Sequence, residues 1–315
     1  MDTARVGVLL GPTASGKTET SLSLARRLDA EILSADSMLV YRYMDIGTAK
    51  PTTAQRQQVT HHVIDVVNPN EPYDAAWYRR DALRAVRDIV NRGKRVLVVG
   101  GTGLYLRALT MGLFSGPGAD PRLRRQLEEW GNSRLYKRLL EVDPEAAARL
   151  HPNDRVRMIR AIEVYCLTGK PISLFQREHG FARPLFPVLF LGLQVDRQTL
   201  ISRIHRRAEK MFLTGLMEEI EALVARGYGP QLRPMQSFAY RHAYNVLIGR
   251  ISREEAIRRM TRDTWRLARR QMTWFKKEPD ILWLPCTEED TMAGLLEEFW
   301  DSTSKSVIAR AMTAP

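Results

Sequence analysis

The sequence predicts an α/β protein, a parallel sheet flanked by helices and carrying a small all-helical insertion, on three observations. The apolar run Val6-Gly7-Val8-Leu9-Leu10 leads directly into Gly11-Pro12-Thr13-Ala14-Ser15-Gly16-Lys17-Thr18, and a helical stretch follows to about Leu28. Strand, glycine-rich turn and helix in that order are the setting in which G-x-x-x-x-G-K-[ST] cradles an oligophosphate. Short apolar runs then recur between amphipathic segments, at residues 31–37, 62–67, 95–99, 187–193 and 280–284, a rhythm that builds a sheet through helical crossovers. That rhythm breaks at Gly116-Pro117-Gly118, after which only helical signals appear until the sheet pattern returns. The chain therefore divides into a core domain, residues 1–115 and 184–315, and an insertion, residues 116–183.

The 315 residues suffice for one large core plus a smaller domain. Lys and Arg number 48 against 36 Asp and Glu, a net charge of +12. Such an excess suits a polyanionic partner, although a generally arginine-rich proteome would also produce it. The two cysteines, Cys166 and Cys286, have no metal-like spacing, so they read as reduced thiols of a cytoplasmic protein, and no zinc site is expected. The N-terminal apolar run reads as a core strand rather than a signal peptide. No stretch approaches the roughly 18 apolar residues of a membrane span, so no membrane partner is expected.

In the loop itself, the backbone N–H groups and the positive end of the following helix converge on one spot, where Lys17 adds a full charge. Thr18 is the position that holds Mg²⁺ through its hydroxyl in phosphate loops of the P-loop NTPase-like kind. The second strand ends at Asp36, and ligands of open α/β sheets sit beyond the carboxyl ends of strands, so Asp36 is placed beside the loop as the leading candidate for chemistry. The same residue could instead close the strand as an Asx-turn or cap. Gly47 and Pro51 mark a loop whose Lys50 could meet phosphate. His61 and His62 look like strand-entry residues rather than metal ligands. Asp74 caps a long helix to Asn91, stopped by Gly93.

The strand at 95–99 runs into Gly100-Gly101-Thr102-Gly103, where a motor ATPase would carry a Walker-B aspartate. Two glycines there would let a ligand approach the backbone, with the Thr102 hydroxyl as a substrate contact, or simply open a helix. In the insertion, Asp120, Ser133, Asp143-Pro144 and Asp154 start four helical segments, the last closed by Gly169. Arg157 and Arg160 share a face there, as an anion contact or a solvated surface. Asp196 opens a helix carrying Arg203, Arg206 and Arg207. Ser252-Arg253-Glu254-Glu255 reads as a capping box for a helix to about Phe275, with Ile257, Met260, Thr264, Leu267 and Gln271 facing inward. Arg258, Arg262, Arg266, Arg269, Arg270 and Lys276 lie on its other faces, with Trp274 and Phe275 either stacking on bases or anchoring the core. A terminal edge strand at 280–284 and a loose tail after Ser302 complete the chain.

These blocks together resemble the tRNA dimethylallyltransferases, also called tRNA isopentenyltransferases, over almost the whole length. The resemblance rests on the loop Gly11 to Thr18, Ser34-Ala35-Asp36-Ser37-Met38, Asp45-Ile46-Gly47-Thr48-Ala49-Lys50-Pro51, Gly100-Gly101-Thr102-Gly103-Leu104-Tyr105 and His151-Pro152-Asn153-Asp154. It extends to Arg157 with Arg160-Ala161-Ile162-Glu163-Val164, and to Arg269-Arg270-Gln271-Met272-Thr273-Trp274-Phe275. The likeness implies transfer of a dimethylallyl group from its diphosphate to N6 of the adenosine on the 3′ side of the anticodon. Such a family uses its phosphate loop for diphosphate rather than ATP hydrolysis, which accounts for the missing Walker-B aspartate.

By similarity Asp36 is the base, Lys17, Arg207 and Mg²⁺ at Thr18 steady the leaving diphosphate, and Thr102 is the hydroxyl near the reacting groups. The RNA-contacting segments match Asp36-Ser37-Met38-Leu39, Val156-Arg157-Met158-Ile159-Arg160, Gln236-Ser237-Phe238-Ala239-Tyr240-Arg241 and Arg269-Arg270-Gln271-Met272-Thr273-Trp274-Phe275-Lys276, with Arg124 a further position. Leu39 stands where the family commonly has Gln, and Phe238-Ala239 where it commonly has an aliphatic residue and Gly. The partners implied are dimethylallyl diphosphate and a tRNA anticodon stem-loop whose target base flips into a channel, and a monomer is the family expectation. A P-loop kinase of nucleotides or small metabolites is the principal rival, and an RNA-binding protein without catalysis is a third class.

Overall fold

Every residue of the first strand, β1 (Val6–Leu10), is buried, because a parallel strand at the middle of a sheet is covered on both faces. The computed structural model describes residues 4–180, 184–278 and 280–302, which fall into two compact units, one from residues up to Thr110 together with those from Leu185 onward, the other from Met111 to Pro184. The tail after Ser302 and the last residues of the insertion, 181–183, lie outside the described residues.

The first unit begins with β1, α1 (Lys17–Arg27), β2 (Ala30–Ala35), α2 (Thr53–Gln58), β3 (His61–His62), α3 (Ala75–Asn91), β4 (Arg95–Gly100) and α4 (Gly103–Thr110). The second unit holds α5 (Pro121–Glu128), α6 (Asn132–Val142), α7 (Pro144–Arg149), α8 (Arg155–Thr168) and α9 (Ile172–His179). The chain returns to the first unit as β5 (Val188–Gln194), α10 (Arg197–Leu213), α11 (Leu216–Ala225), α12 (Phe238–Leu247), α13 (Arg253–Phe275), β6 (Ile281–Pro285) and α14 (Glu289–Asp301).

The six strands form one sheet in the order β3-β2-β4-β1-β5-β6, and every pairing is parallel. Alternation along the strands divides the apolar residues between two layers. Val6, Val8, Val96, Val98 and Val188 join the larger core. Leu9, Leu97, Leu189, Leu191 and Leu193 face the other, under α1 and α14. Since β1 lies between β4 and β5, the sheet order reverses around it, and the loop after β1 opens at a topological switch point.

Local signals account for several helix ends. Asp74 accepts from the N–H groups of Ala76 and Trp77, Asp196 from Thr199, and Gly169 ends α8 in a left-handed turn with φ 70°. At Ser252 the hydroxyl accepts the Glu255 N–H at 3.2 Å, the forward half of the expected capping box.

Two expectations need correction. The strand expected at 62–67 contributes only His61 and His62 to the sheet. Val63 and Asp65 take left-handed φ of 59° and 57°, because Asp65 turns to pair with the buried Lys50 at 2.6 Å. On α13 the fully buried line is Ala256, Met260, Asp263, Ala268 and Phe275, whereas Ile257, Thr264, Leu267 and Gln271 are half-buried. The helix is turned so that an aspartate, Asp263, lies inside. Sequence also gave no sign of α9 or of α12.

Candidate active site

The phosphate-loop sequence forms a turn between β1 and α1 whose backbone is set by left-handed conformations at Ala14, φ 66°, and Gly16, φ 105°. Gly16 caps α1 without a side-chain bond, leaving the first N–H groups of the helix open toward the cleft. Thr13 through Thr18 line a cleft of about 1260 Å³ whose walls also include Asp36, Thr48, Gly101, Arg203, Arg207, Gln271 and Cys286.

Lys17 folds back over its own loop, its ammonium donating to the carbonyls of Gly11 at 2.9 Å and Pro12 at 2.7 Å. Burial pushes its pKa down to about 8, the Asp36 carboxylate opposing that fall and Arg207 adding to it. Arg207 reaches in from α10, donating to Thr13 Oγ1 and to the Thr48 carbonyl, each at 3.2 Å. Burial likewise lowers its pKa, and Asp36 and Glu19 pull the other way. One carboxylate thus faces two desolvated cations, the charge pattern of a pocket made for an anion larger than a carboxylate.

Asp36 follows the last residue of β2, and its Oδ1 accepts the Met38 N–H at 2.8 Å. The residue is therefore an Asx-turn and a cleft-lining carboxylate at once. The Asx-turn occupies Oδ1 alone. Thr102 supports the same turn, its Oγ1 accepting the Ser37 N–H at 3.1 Å while its own N–H donates to Ala35 O at 3.1 Å.

The glycines around Thr102 make room for side chains of α13. A Cβ at Gly101 would lie 2.4 Å from Gln271 Nε2, and one at Gly103 2.3 Å from the Trp274 ring. Side chains of α13 thus occupy the Cβ positions of Gly101 and Gly103, while Gly101 still lines the cleft.

Lys50 is a further correction. Its ammonium is buried and donates to Tyr41 O, Asp45 and Asp65 at 2.8, 2.6 and 2.6 Å. All three protons are engaged inside the protein, so Lys50 holds its loop and is not a phosphate contact.

Two contributors, Arg203 and Glu219, escaped sequence reasoning, and a third, Gln271, was matched to RNA contact rather than to the phosphate loop. Arg203 donates to the carbonyl of Ser15 at 3.1 Å, and its spacing of four from Arg207 on one helix was the available signal. Gln271 bonds the loop itself, accepting the Thr13 N–H at 2.9 Å. Glu219 accepts three successive backbone N–H groups, from Asp45, Ile46 and Gly47 at 2.8, 2.7 and 3.0 Å, and the Tyr240 hydroxyl at 2.5 Å. It thereby fixes the loop whose Thr48 carbonyl anchors Arg207. No local sequence pattern announces such a clamp.

The residues matched to RNA contact divide by exposure. Tyr240, Met158 and Phe275 are fully buried, and Ala239 and Ile159 nearly so. Val156, Arg157, Gln236, Arg269, Arg270, Thr273 and Lys276 are exposed. On α13, Arg258 and Arg259 pair with Glu255, and Arg262 and Arg266 with Asp263. Arg269, Arg270 and Lys276 have no ion-pair partner among the described residues. Three unpaired cations thus lie at the end of α13 that carries Gln271 and Trp274.

Within the second unit, Arg124 grips the buried Glu163 with two bonds of 2.8 and 2.9 Å, and Arg160 adds a third at 2.6 Å. Burial alone would raise the Glu163 pKa, but these arginines hold it below the usual carboxylate range.

Among the described residues no three His, Cys, Asp or Glu side chains gather into a metal cage. A divalent cation at this cleft would be of the kind shared between a hydroxyl, water and phosphate oxygens. The loop suits one: Ser15 Oγ is buried without a hydrogen-bond partner, and Thr18 lines the cleft beside it. No described helix is long and apolar enough to cross a membrane.

A family model described as IPP transferase matches residues 39–278. The chain belongs to the IPP transferase family. Among similar members, tRNA dimethylallyltransferase 1 of Citrifermentans bemidjiense is 51% identical over 280 residues, covering 89% of this chain and 92% of its own. The tRNA dimethylallyltransferase of Geobacter metallireducens is 48% identical, covering 89% and 92%. The full-length tRNA isopentenylpyrophosphate transferase of Bacillus halodurans superposes with a TM-score of 0.68 at 36% identity, over 94% of this chain and 97% of that one. A eukaryotic dimethylallyltransferase acting on tRNA gives 0.77 at 28% identity, over 98% and 78%. The P-loop NTPase-like sheet is thus that of the IPP transferases.

Proposed function

We propose that this IPP transferase moves a dimethylallyl group from dimethylallyl diphosphate to tRNA, onto N6 of the adenosine on the 3′ side of the anticodon, and releases diphosphate. The observation that carries the reading is one cleft joining an open phosphate loop, two desolvated cations and a carboxylate with an uncommitted oxygen.

Adenine N6 is a weak nucleophile, its lone pair delocalised into the ring, so a base must take its proton as the C–N bond forms. Asp36 is that base in this reading. Oδ1 is held by Met38, and Oδ2 receives the proton. As the allylic C–O bond breaks, negative charge grows on the diphosphate, and Lys17, Arg207 and the first N–H groups of α1 stabilise it. Thr102 keeps the Asp36 turn in place. Mg²⁺, held through Thr18 and the phosphate oxygens, would add Lewis-acid stabilisation of the leaving group when bound. Asp36 to Leu39, Gln236, Arg241, Arg269, Arg270, Thr273, Trp274 and Lys276 offer the RNA surface on the first unit, and Arg124, Val156, Arg157 and Arg160 that on the second. A base flipped out of an anticodon stem-loop is the substrate form that a cleft site requires. A monomer in the cytoplasm, where tRNA and a reducing environment coincide, completes the proposal.

The test is transfer of a labelled C5 unit from dimethylallyl diphosphate to an anticodon stem-loop in the presence of Mg²⁺, with product adenosine analysed for N6 substitution. Product with no ATP turnover is expected. Phosphate transfer from ATP would favour a kinase, and RNA binding with no product would favour a non-catalytic role.

A further inference from the structure

Gln271 and Trp274 lie one turn apart on α13, and each occupies the space of a side chain that the Gly101-Thr102-Gly103 loop lacks. The Gln271 amide then spans two loops. Its Nε2 donates to the Gly101 carbonyl at 2.9 Å, and its Oε1 accepts the Thr13 N–H at 2.9 Å. Both partners are backbone groups of fixed polarity, one a donor and one an acceptor, so only a primary amide of this length satisfies both. Glu would set a carboxylate against the Gly101 carbonyl. Met would fill the space and bond neither.

Thr13 is held from two sides, its N–H by Gln271 and its Oγ1 by Arg207. Gly101 is followed by Thr102, whose hydroxyl orders the turn after Asp36. A single side chain thus fixes the register of the phosphate loop against the loop that supports the base. Arg269 and Arg270, two and one residues earlier on α13, are exposed and point to a different task. We propose that Gln271 is a positioning residue for diphosphate binding, holding Thr13 and through it Arg207, and that it makes no contact with RNA. This inference rests on the function proposed above for the cleft.

The test compares wild type with Gln271→Met in the full-length protein. Inorganic pyrophosphate binding is measured by calorimetry, anticodon stem-loop binding by anisotropy without donor, and exchange of the Thr13 amide by NMR. We expect the pyrophosphate Kd and the donor KM to rise about tenfold or more, the stem-loop Kd to stay within about twofold, and Thr13 exchange to accelerate while the amides of α13 keep their protection. Gly101→Ala supplies an independent perturbation, because its Cβ would displace the same amide from the opposite side. It should reproduce the pyrophosphate defect. Weakened RNA binding with intact pyrophosphate binding, equal loss of both, or no change in either would overturn the inference. A wild-type protein that binds stem-loop but no pyrophosphate would refute the function itself, and the positioning role with it.

Discussion

Lys17 gives the cleft a pH dependence that can be worked out from its surroundings. Its ammonium is desolvated, and its pKa falls from 10.5 to about 8. In the free enzyme the lysine is therefore about nine-tenths charged at pH 7 and about one-tenth charged at pH 9. Diphosphate binding calls for the charged form, so affinity is full below pH 8 and falls about tenfold per unit above it. At pH 9 the Kd for inorganic pyrophosphate should be about tenfold weaker than on the acid plateau. Binding at that pH should take up close to one proton, seen by calorimetry in two buffers of different ionisation enthalpy.

Lys17→Arg stays charged throughout, so the difference between the two proteins separates the lysine from the ligand's own ionisation. Because Asp36 raises the Lys17 pKa, Asp36→Asn should move the break to lower pH. In stability the sign is opposite. The unfolded chain binds more protons than the folded one between about 8 and 10.5, so the penalty of burying Lys17 is felt below pH 8 and relieved as pH rises through that window. Identical profiles for wild type and Lys17→Arg up to pH 10 would refute the desolvated lysine and the anion pocket built upon it.

Asp36→Asn keeps an oxygen for the Met38 N–H, so the turn survives while the base is lost; single-turnover transfer should slow by roughly 10² to 10⁴, about 3 to 5 kcal/mol in barrier, with stem-loop affinity nearly unchanged. Equal loss of binding would make Asp36 an RNA-positioning group instead. Replacing both Arg269 and Arg270 by Ala should weaken stem-loop binding and flatten its logarithmic salt dependence by about 0.7 to 0.9 per lost phosphate contact; an unchanged slope would leave this end of α13 as a solvated surface. Glu219→Ala strands three backbone N–H groups and the Tyr240 hydroxyl, and should cost about 3 kcal/mol, lowering Tm by several degrees and raising the pyrophosphate Kd through the loosened Arg207 anchor. A stable variant with normal affinity would show that the clamp does not reach the cleft.

What the sequence alone determined is the part of this protein encoded in neighbouring residues. The phosphate loop, the parallel strands with their buried alternation, and the caps at Asp74, Asp120, Asp154 and Asp196 are all local patterns, because backbone geometry and burial period repeat over a few residues. Asp36 was legible because a strand's carboxyl end faces the cleft in any open parallel sheet. The tertiary structure decided what depends on partners distant in the chain. Lys50 looked like a phosphate contact until Asp65 and Asp45 engaged it. The reason Gly101 and Gly103 carry no side chain came from Gln271 and Trp274, which fill that space from about 170 residues away. The arginines of α13 looked alike until Glu255 and Asp263 paired with four of them, Arg258, Arg259, Arg262 and Arg266. A side chain's charge and reach are fixed by its type, but whether they are offered to a ligand depends on which group folding brings within about 3 Å, and that distance is written nowhere in the local sequence.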